Sequence, residues 1–323
     1  MKRTLVILLV AAFLLTVISG CASNDYSPIR ICVDIKDLLV LTYGDEFTSV
    51  QSNEESAAAE LFLNSIKDRE GPEDVELEFI PATGDERNAV LTRIRTEILS
   101  GKGPDVFIVN CVNDGQIDAL FQSPEAAMEL KIFLPLDEYI NSAKYMEWDK
   151  MTSIVMEAGK NKEGQQLLPL SYTFPVSIFK REDISTKLPQ DATLYDMLDA
   201  ETNVAAAALT NSFYRHSWSD YAFGAVADYE NEKLLFTEND LLKWEQAQQS
   251  WFDRLESGEF DDVPNHYSMS MNVGFNNDAG VQGDAFFSQV SQDDEMVFLP
   301  MYSTQDGVTA TVLSFAGVNR NTK

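Results

Sequence analysis

The chain has 323 residues, with 52 acidic against 24 basic side chains and a formal net charge of −28. A field of that sign repels phosphate backbones and anionic headgroups, which excludes a nucleic-acid binder. With 45% hydrophobic and 11% aromatic residues the body is packed rather than disordered, and its length exceeds what one core serves, so two lobes are expected.

Lys2 and Arg3 precede an uncharged apolar run from Leu5 to Val17, and Ile18-Ser19-Gly20 leads into Cys21. The run is shorter than the roughly 20 residues that cross a bilayer, and its layout is that of an export signal. Because cysteine follows the small residues, segment 1–20 resembles a bacterial lipoprotein signal with its lipobox. That resemblance implies acylation of Cys21, palmitate among the chains, and a membrane anchor on the extracytoplasmic face. Two or more acyl chains hold a protein there stably. Residues 21–28 then form a short polar tether. The remaining cysteines, Cys32 and Cys111, form no CxxC, so neither a zinc site nor a disulfide framework is indicated. Export permits a disulfide between them, and two unpaired thiols are equally compatible.

Ile29–Ile35 (IRICVDI) reads as a strand by its β-branched content. Glu54–Lys67 has a helical face of Ala58, Leu61, Phe62 and Ile66, and Gly71-Pro72 ends it. Val75–Ile80 alternates as a half-buried strand, and Glu86–Leu99 carries Val90, Leu91, Ile94 and Ile98 on one helical face. Gly101 and Gly103 stop that helix before a compact strand, Asp105–Val109. This is the βαβ rhythm of a parallel sheet covered on both faces. Leu167–Phe179 is extended despite Pro169 and Pro175, and helices are expected at Leu194–Ala200, Trp218–Ala227 and Glu238–Ser257. Met296–Pro300 and Thr309–Val318 read as late strands. Without a linker between lobes, the crossing strands Leu167–Phe174 and Val308–Phe315 are the expected hinge.

Several segments, in order, resemble one family. Ile94–Val106 contains Gly101-Lys102-Gly103-Pro104-Asp105, similar to a helix, G-x-G-P-D turn and strand; Phe133–Tyr139 (FLPLDEY) is similar to an LxPLDxYI stretch. Glu163–Pro169, Ser177–Asp183 with Phe179 and Lys180 in place of a tyrosine and asparagine, Tyr229–Lys233, Leu299–Met301 and Ala316–Lys323 continue the pattern. Together they resemble the extracellular solute-binding proteins of family 1, which include the maltodextrin-binding proteins. The resemblance implies an α/β, two-lobed periplasmic-binding-protein-like fold of type II, each lobe a sheet flanked by helices and joined by hinge strands. The expected N-lobe is 29–170 plus 308–323 and the C-lobe 171–307. In the family the final motif opens further helices, whereas this sequence stops at Lys323, so a C-terminally truncated fold lacking those helices is expected.

The family reading implies a non-enzymatic binding protein that hands a small solute, a sugar, to ABC permease subunits, with no cofactor and no metal. Sugar recognition needs aromatic faces and planar polar groups, and in an open α/β sheet these belong at the carboxyl ends of strands. The candidate contacts are Tyr43 and Asp45 after the first strand, Asn110 and Asp114 after the third, Tyr172 and Phe174 on the first crossing, and Asn211, Phe213 and Trp218 in the second lobe. Phe213 and Trp218 serve equally as core, and Asn110 as a turn residue. Two other readings stand beside this one: a degenerate or structural surface lipoprotein, and an exported glycan-active hydrolase. No GxSxG, HExxH or CxxC supports the hydrolase.

Overall fold

The computed structural model describes residues 28–34, 64, 74–81, 84–111, 118–143, 148, 151–185, 187–189, 191–209, 222–224, 226–263, 267–274, 296–305 and 307–322. Strand β1 (Ile29–Asp34) is flanked in parallel by β2 (Val75–Ile80) and β3 (Val106–Asn110), so helix α1 (Gly84–Leu99) crosses from β2 over β1 to reach β3. Asp85 and Glu86 occupy the first turn of α1, where carboxylates oppose the positive helix end. Leu91 and Ile94 are buried against the sheet. The helix closes in a Schellman turn: Gly101 takes φ 74°, and the Lys102 N–H donates to the Glu97 carbonyl at 2.9 Å. A side chain at position 101 would be strained in that left-handed conformation.

Three short helices follow, α2 (Pro124–Glu129), α3 (Asp137–Ser142) and α4 (Ser153–Glu157), and then a small hairpin of β4 (Lys160–Asn161) and β5 (Gly164–Gln165). Strand β6 (Leu167–Lys180) is 14 residues long. Beyond it lie α5 (Leu194–Leu198), α6 (Thr202–Leu209), a hairpin of β7 (Ala227–Asp228) with β8 (Lys233–Leu234), and α7 (Glu238–Glu256). Strands β9 (Tyr267–Gly274), β10 (Met296–Pro300) and β11 (Thr311–Val318) complete the described elements. Among the described residues no helix is long and apolar enough to cross a membrane.

Seven strands form one continuous sheet, in the order β10-β6-β11-β3-β1-β2, with β9 on the other side of β6. The sheets expected for the two halves are therefore joined, because β6 belongs to both. Its first part pairs antiparallel with β11 and its second part with β10 on the same side. Pro175 stands where that neighbour changes, and its carbonyl accepts from the Met301 N–H at 3.0 Å. Where β11 crosses β6 the register slips around Ser314, so Leu313 and Leu170 are both passed over.

The two ends of this sheet carry separate cores. At one end Phe107, Phe121, Phe133 and Phe315 meet mostly edge to face, with centroids 5.0–6.0 Å apart, over Ile80, Leu91 and Ile94. Ile31, Val33 and Ile108 form a smaller cluster there. At the other end Phe179, Leu194, Met197, Val204, Ala208, Trp244, Trp251 and Met301 pack together. Helix α6 was not anticipated, although its four consecutive alanines favour a helix. Strand β9 was not anticipated either. The expected helix Glu54–Lys67, apart from residue 64, and residues 218–221 and 225 of the expected helix Trp218–Ala227 lie outside the described residues; Ala222 and Phe223 are helical, whereas Ala227 belongs to β7, so the helix stops short of its expected end.

Candidate functional site

The carboxyl ends of the parallel strands are tied together by one arginine. Arg87, buried in α1, donates from Nη2 to Asp34 Oδ2 at 2.7 Å, from Nη1 to the Pro81 carbonyl at 2.7 Å and from Nε to the Asp118 carbonyl at 3.1 Å. These partners end β1, end β2 and open the segment leading to α2. A buried guanidinium is tolerated because its donors are met by a carboxylate and two carbonyls. Asp34 Oδ1, also buried, has no hydrogen-bond partner among the described residues.

Beside this edge a cavity of about 470 Å³ opens between the two cores. Leu167 and Phe315 line it from the first core, with Pro169 of β6 and with Cys111 just past the end of β3. Gln122, Pro124 and Glu125 come from the start of α2, where Ser123 caps the helix by accepting from the Ala126 N–H at 3.2 Å. Thr309 to Val312 supply the second crossing, and Gly224 closes the far side next to Phe223, whose ring lies 4.5 Å from Trp244 in the second core. The wall is held by backbone and thiol contacts: the Cys111 N–H donates to the Leu313 carbonyl at 2.9 Å, and the Cys111 thiol to the Val312 carbonyl at 2.9 Å. Ser171 and Ser314 join the crossings through hydroxyls 2.7 Å apart.

Of the residues the sequence singled out, Asn110, Tyr172 and Phe174 are described. Asn110 pairs with Ser314 across the sheet, one residue before Cys111. Tyr172 pairs with Val312, a cavity residue, and its ring stacks with Phe174 at 6.5 Å and 22°. All three are half-buried and stand beside the cavity rather than in its lining. Cys21, Tyr43, Asp45, Asp114, Asn211, Phe213 and Trp218 lie outside the described residues. Sequence reasoning missed Gln122, Glu125, Thr309 and Thr311. The Ser123-Pro124-Glu125 helix start was the available signal for the first pair, since it places a turn of side chains beyond the third strand.

Cys32 and Cys111 are not joined in a disulfide. Cys32 lies opposite Phe107 in the sheet, four positions short of Cys111 along β3. At roughly 3.3 Å per residue that is about 13 Å, beyond the reach of a disulfide. Burial pushes the Cys32 thiol far above its ordinary range, with Glu78 and Asp34 adding to the effect.

No protein-family model and no curated protein matches the chain. Solved structures do. An extracellular solute-binding protein of family 1 from Alicyclobacillus acidocaldarius subsp. acidocaldarius superposes with a TM-score of 0.50 at 14% identity, covering 93% of this chain and 72% of that one. The chain has the fold of a family 1 solute-binding protein. A family 1 protein from Bifidobacterium longum subsp. infantis is similar at 0.46 and 9% identity, over 92% of this chain and 73% of that one. So is an ABC substrate-binding protein from Listeria monocytogenes in complex with cycloalternan, at 0.43 and 13%, over 91% and 71%.

Proposed function

We propose that this protein is a solute-binding protein that captures a small carbohydrate outside the cytoplasm, anchored by lipid on Cys21, and delivers it to the permease subunits of an ABC importer. The observation that carries the reading is the cavity of about 470 Å³ lined by β6, β11 and the start of α2, with Gly224 on its far side beside the second core. Its size suits a small ligand, and it combines apolar surface from Leu167, Pro169 and Phe315 with hydrogen-bonding groups on Gln122, Glu125, Thr309 and Thr311. Glycoside hydrolysis uses two carboxyl groups, and the described lining offers one, Glu125. That favours holding over turnover.

A ligand touching both walls stabilises the arrangement in which they approach, so binding biases the crossing strands toward closure. The Ser171–Ser314 contact and the register slip beside it are where such a motion is accommodated. Purified protein is to be screened against a broad glycan panel by thermal shift, with solution scattering on any hit. A melting-temperature rise with a smaller radius of gyration is expected. Folded protein indifferent to every glycan would instead support a surface lipoprotein without transport activity. Labelling with a palmitate analogue, lost in Cys21→Ser, tests the anchor.

A further inference from the structure

We infer that Gln165, which is not part of the cavity lining, is the residue that positions the cavity wall and so sets the shape of the solute site. This rests on the cavity being that site. On one side the wall is Ala158 and Gly159, which offer no side chain beyond a methyl, so its place there is a backbone position. Gln165 ends β5 and is 3% exposed. Its Nε2 donates to the Met156 carbonyl at 2.8 Å and to the Leu167 carbonyl at 2.6 Å. Two carbonyl oxygens demand the nitrogen end of the amide, and they take both of its hydrogens. One acceptor sits in α4, two positions before Ala158, and the other belongs to a lining residue of β6. The amide thus spans the gap between the helix end and the crossing strand.

The wall closes around the same point. The Gly159 N–H donates to the Met156 carbonyl at 3.0 Å, and the Gly159 carbonyl accepts from the Gln166 and Leu167 N–H groups at 2.9 and 3.0 Å. A Cβ on Gly159 would stand 2.8 Å from Gln165 Nε2, so the wall packs directly on the amide. Gln165 is held in turn: its N–H donates to Asp137 Oδ2 at 3.0 Å, and its carbonyl accepts from the Leu136 N–H at 2.6 Å. A buried amide tied at both backbone groups and both side-chain hydrogens is rigid, and a wall made of backbone inherits that rigidity.

The probe is N-ethylmaleimide acting on Cys111, which lines the same cavity, with buried Cys32 as an internal monitor of unfolding. Mass spectrometry follows each thiol in Gln165→Met, Gln165→Glu and Asn319→Ala, every rate being taken relative to wild type at the same pH. Gln165→Met removes both donors, and it should speed Cys111 about tenfold, as the loss of one hydrogen bond allows, while Cys32 stays unmodified. Asn319→Ala loosens the opposite end of β3 and should leave Cys111 at the wild-type rate. Gln165→Glu should match Gln165→Met at mildly alkaline pH and approach wild type as the pH falls, because a protonated carboxyl donates one bond and a carboxylate none. An unchanged Cys111 rate in Gln165→Met overturns the inference, as does an equal acceleration in Asn319→Ala. Should Gln165→Met unfold and expose Cys32, Gln165→Glu decides, and a Cys111 rate indifferent to pH overturns the inference. In the glycan panel, sugars that raise the wild-type melting temperature should raise that of Gln165→Met less than that of Asn319→Ala. A panel with no such sugar sinks the solute-site reading and leaves the Cys111 rates to decide the role of Gln165.

Discussion

The side-chain amide of Asn319 lies 2.9 Å from the carbonyl oxygen of Pro104, 215 residues earlier in the chain. The same Nδ2 reaches the Lys102 carbonyl at 3.2 Å, and the Asn319 backbone N–H donates to the Asp105 carbonyl at 2.8 Å. Thr322 adds a hydroxyl to Asp105 Oδ1 at 2.5 Å. Two segments that the sequence marked independently, the glycine–proline turn and the terminal asparagine motif, are thus one structural unit. It fastens the last strand to the start of β3.

Asn319→Ala leaves the Pro104 and Lys102 carbonyls without their side-chain donor in a site where Asn319 is 2% exposed. A loss of about 2–3 kcal/mol is expected from the stranded acceptors, measured by urea denaturation. Asn319→Asp should fare no better, since a carboxylate cannot donate there.

Removing the arginine of the buried ion pair costs more. Arg87→Met strands Asp34 as a buried charge and frees the Pro81 and Asp118 carbonyls, for an expected loss of about 3–5 kcal/mol. The double variant Arg87→Met with Asp34→Leu should recover much of this. A double-mutant cycle on urea midpoints measures the coupling, and strictly additive losses would show that the pair is not coupled.

Glu163 sets a pH dependence. Hydrogen bonds from Lys131 and then Arg320 hold its carboxyl down to about 2, against an ordinary 4.5. A depressed pKa means the folded state prefers the ionised form. Its stabilisation is therefore present above pH 4.5 and is lost as pH falls toward 2. Glu163→Gln should flatten that part of the stability-versus-pH curve, followed by chemical denaturation at a series of pH values.

Gly159 is held by a close approach. A Cβ there would stand 2.1 Å from the Leu167 carbonyl oxygen, which is rigid backbone of β6. Gly159→Ala is expected to cost about 1–3 kcal/mol through the forced shift, seen as a lower melting temperature. Because Gly159 lines the cavity, ligand affinity should fall with it.

The thiols should separate by reactivity. Cys111 is half-buried and lines the cavity, whereas Cys32 is fully buried and its thiol is pushed up by desolvation. Maleimide labelling read by mass spectrometry is expected to modify Cys111 in the native protein and Cys32 only after unfolding. Equal labelling of both under native conditions would contradict the placement of Cys32.

Local chemistry was legible in the linear order of residues. The β-branched runs of β1 and β3, the alternation of β2, the spaced apolar face of α1 and its glycine stop each depend on neighbours within a few positions, and each stands where the pattern put it. So does the extended stretch of β6, prolines included, and the length of α7. Tyr172 and Phe174 stand on an extended crossing as expected, whereas Asn110, expected in the loop after the third strand, is the last residue of β3; all three flank the cavity and do not line it. Strand position follows from local pattern. Which side chains share a hollow depends on a register slip at Ser314 and on a helix start at Ser123 folding back over the sheet.

Composition and periodicity by themselves determined an acidic α/β chain with a βαβ beginning and extended crossings. Only the tertiary structure decided that β6 belongs to both halves, that Cys32 and Cys111 cannot meet, that Arg87 gathers three chain segments, and that Gln122 and Glu125 join Thr309 and Thr311 around one cavity. Those facts join residues tens to hundreds of positions apart. Backbone pattern is written by short-range sterics and burial, whereas long-range pairing is settled by the sum of many weak contacts that no single stretch contains.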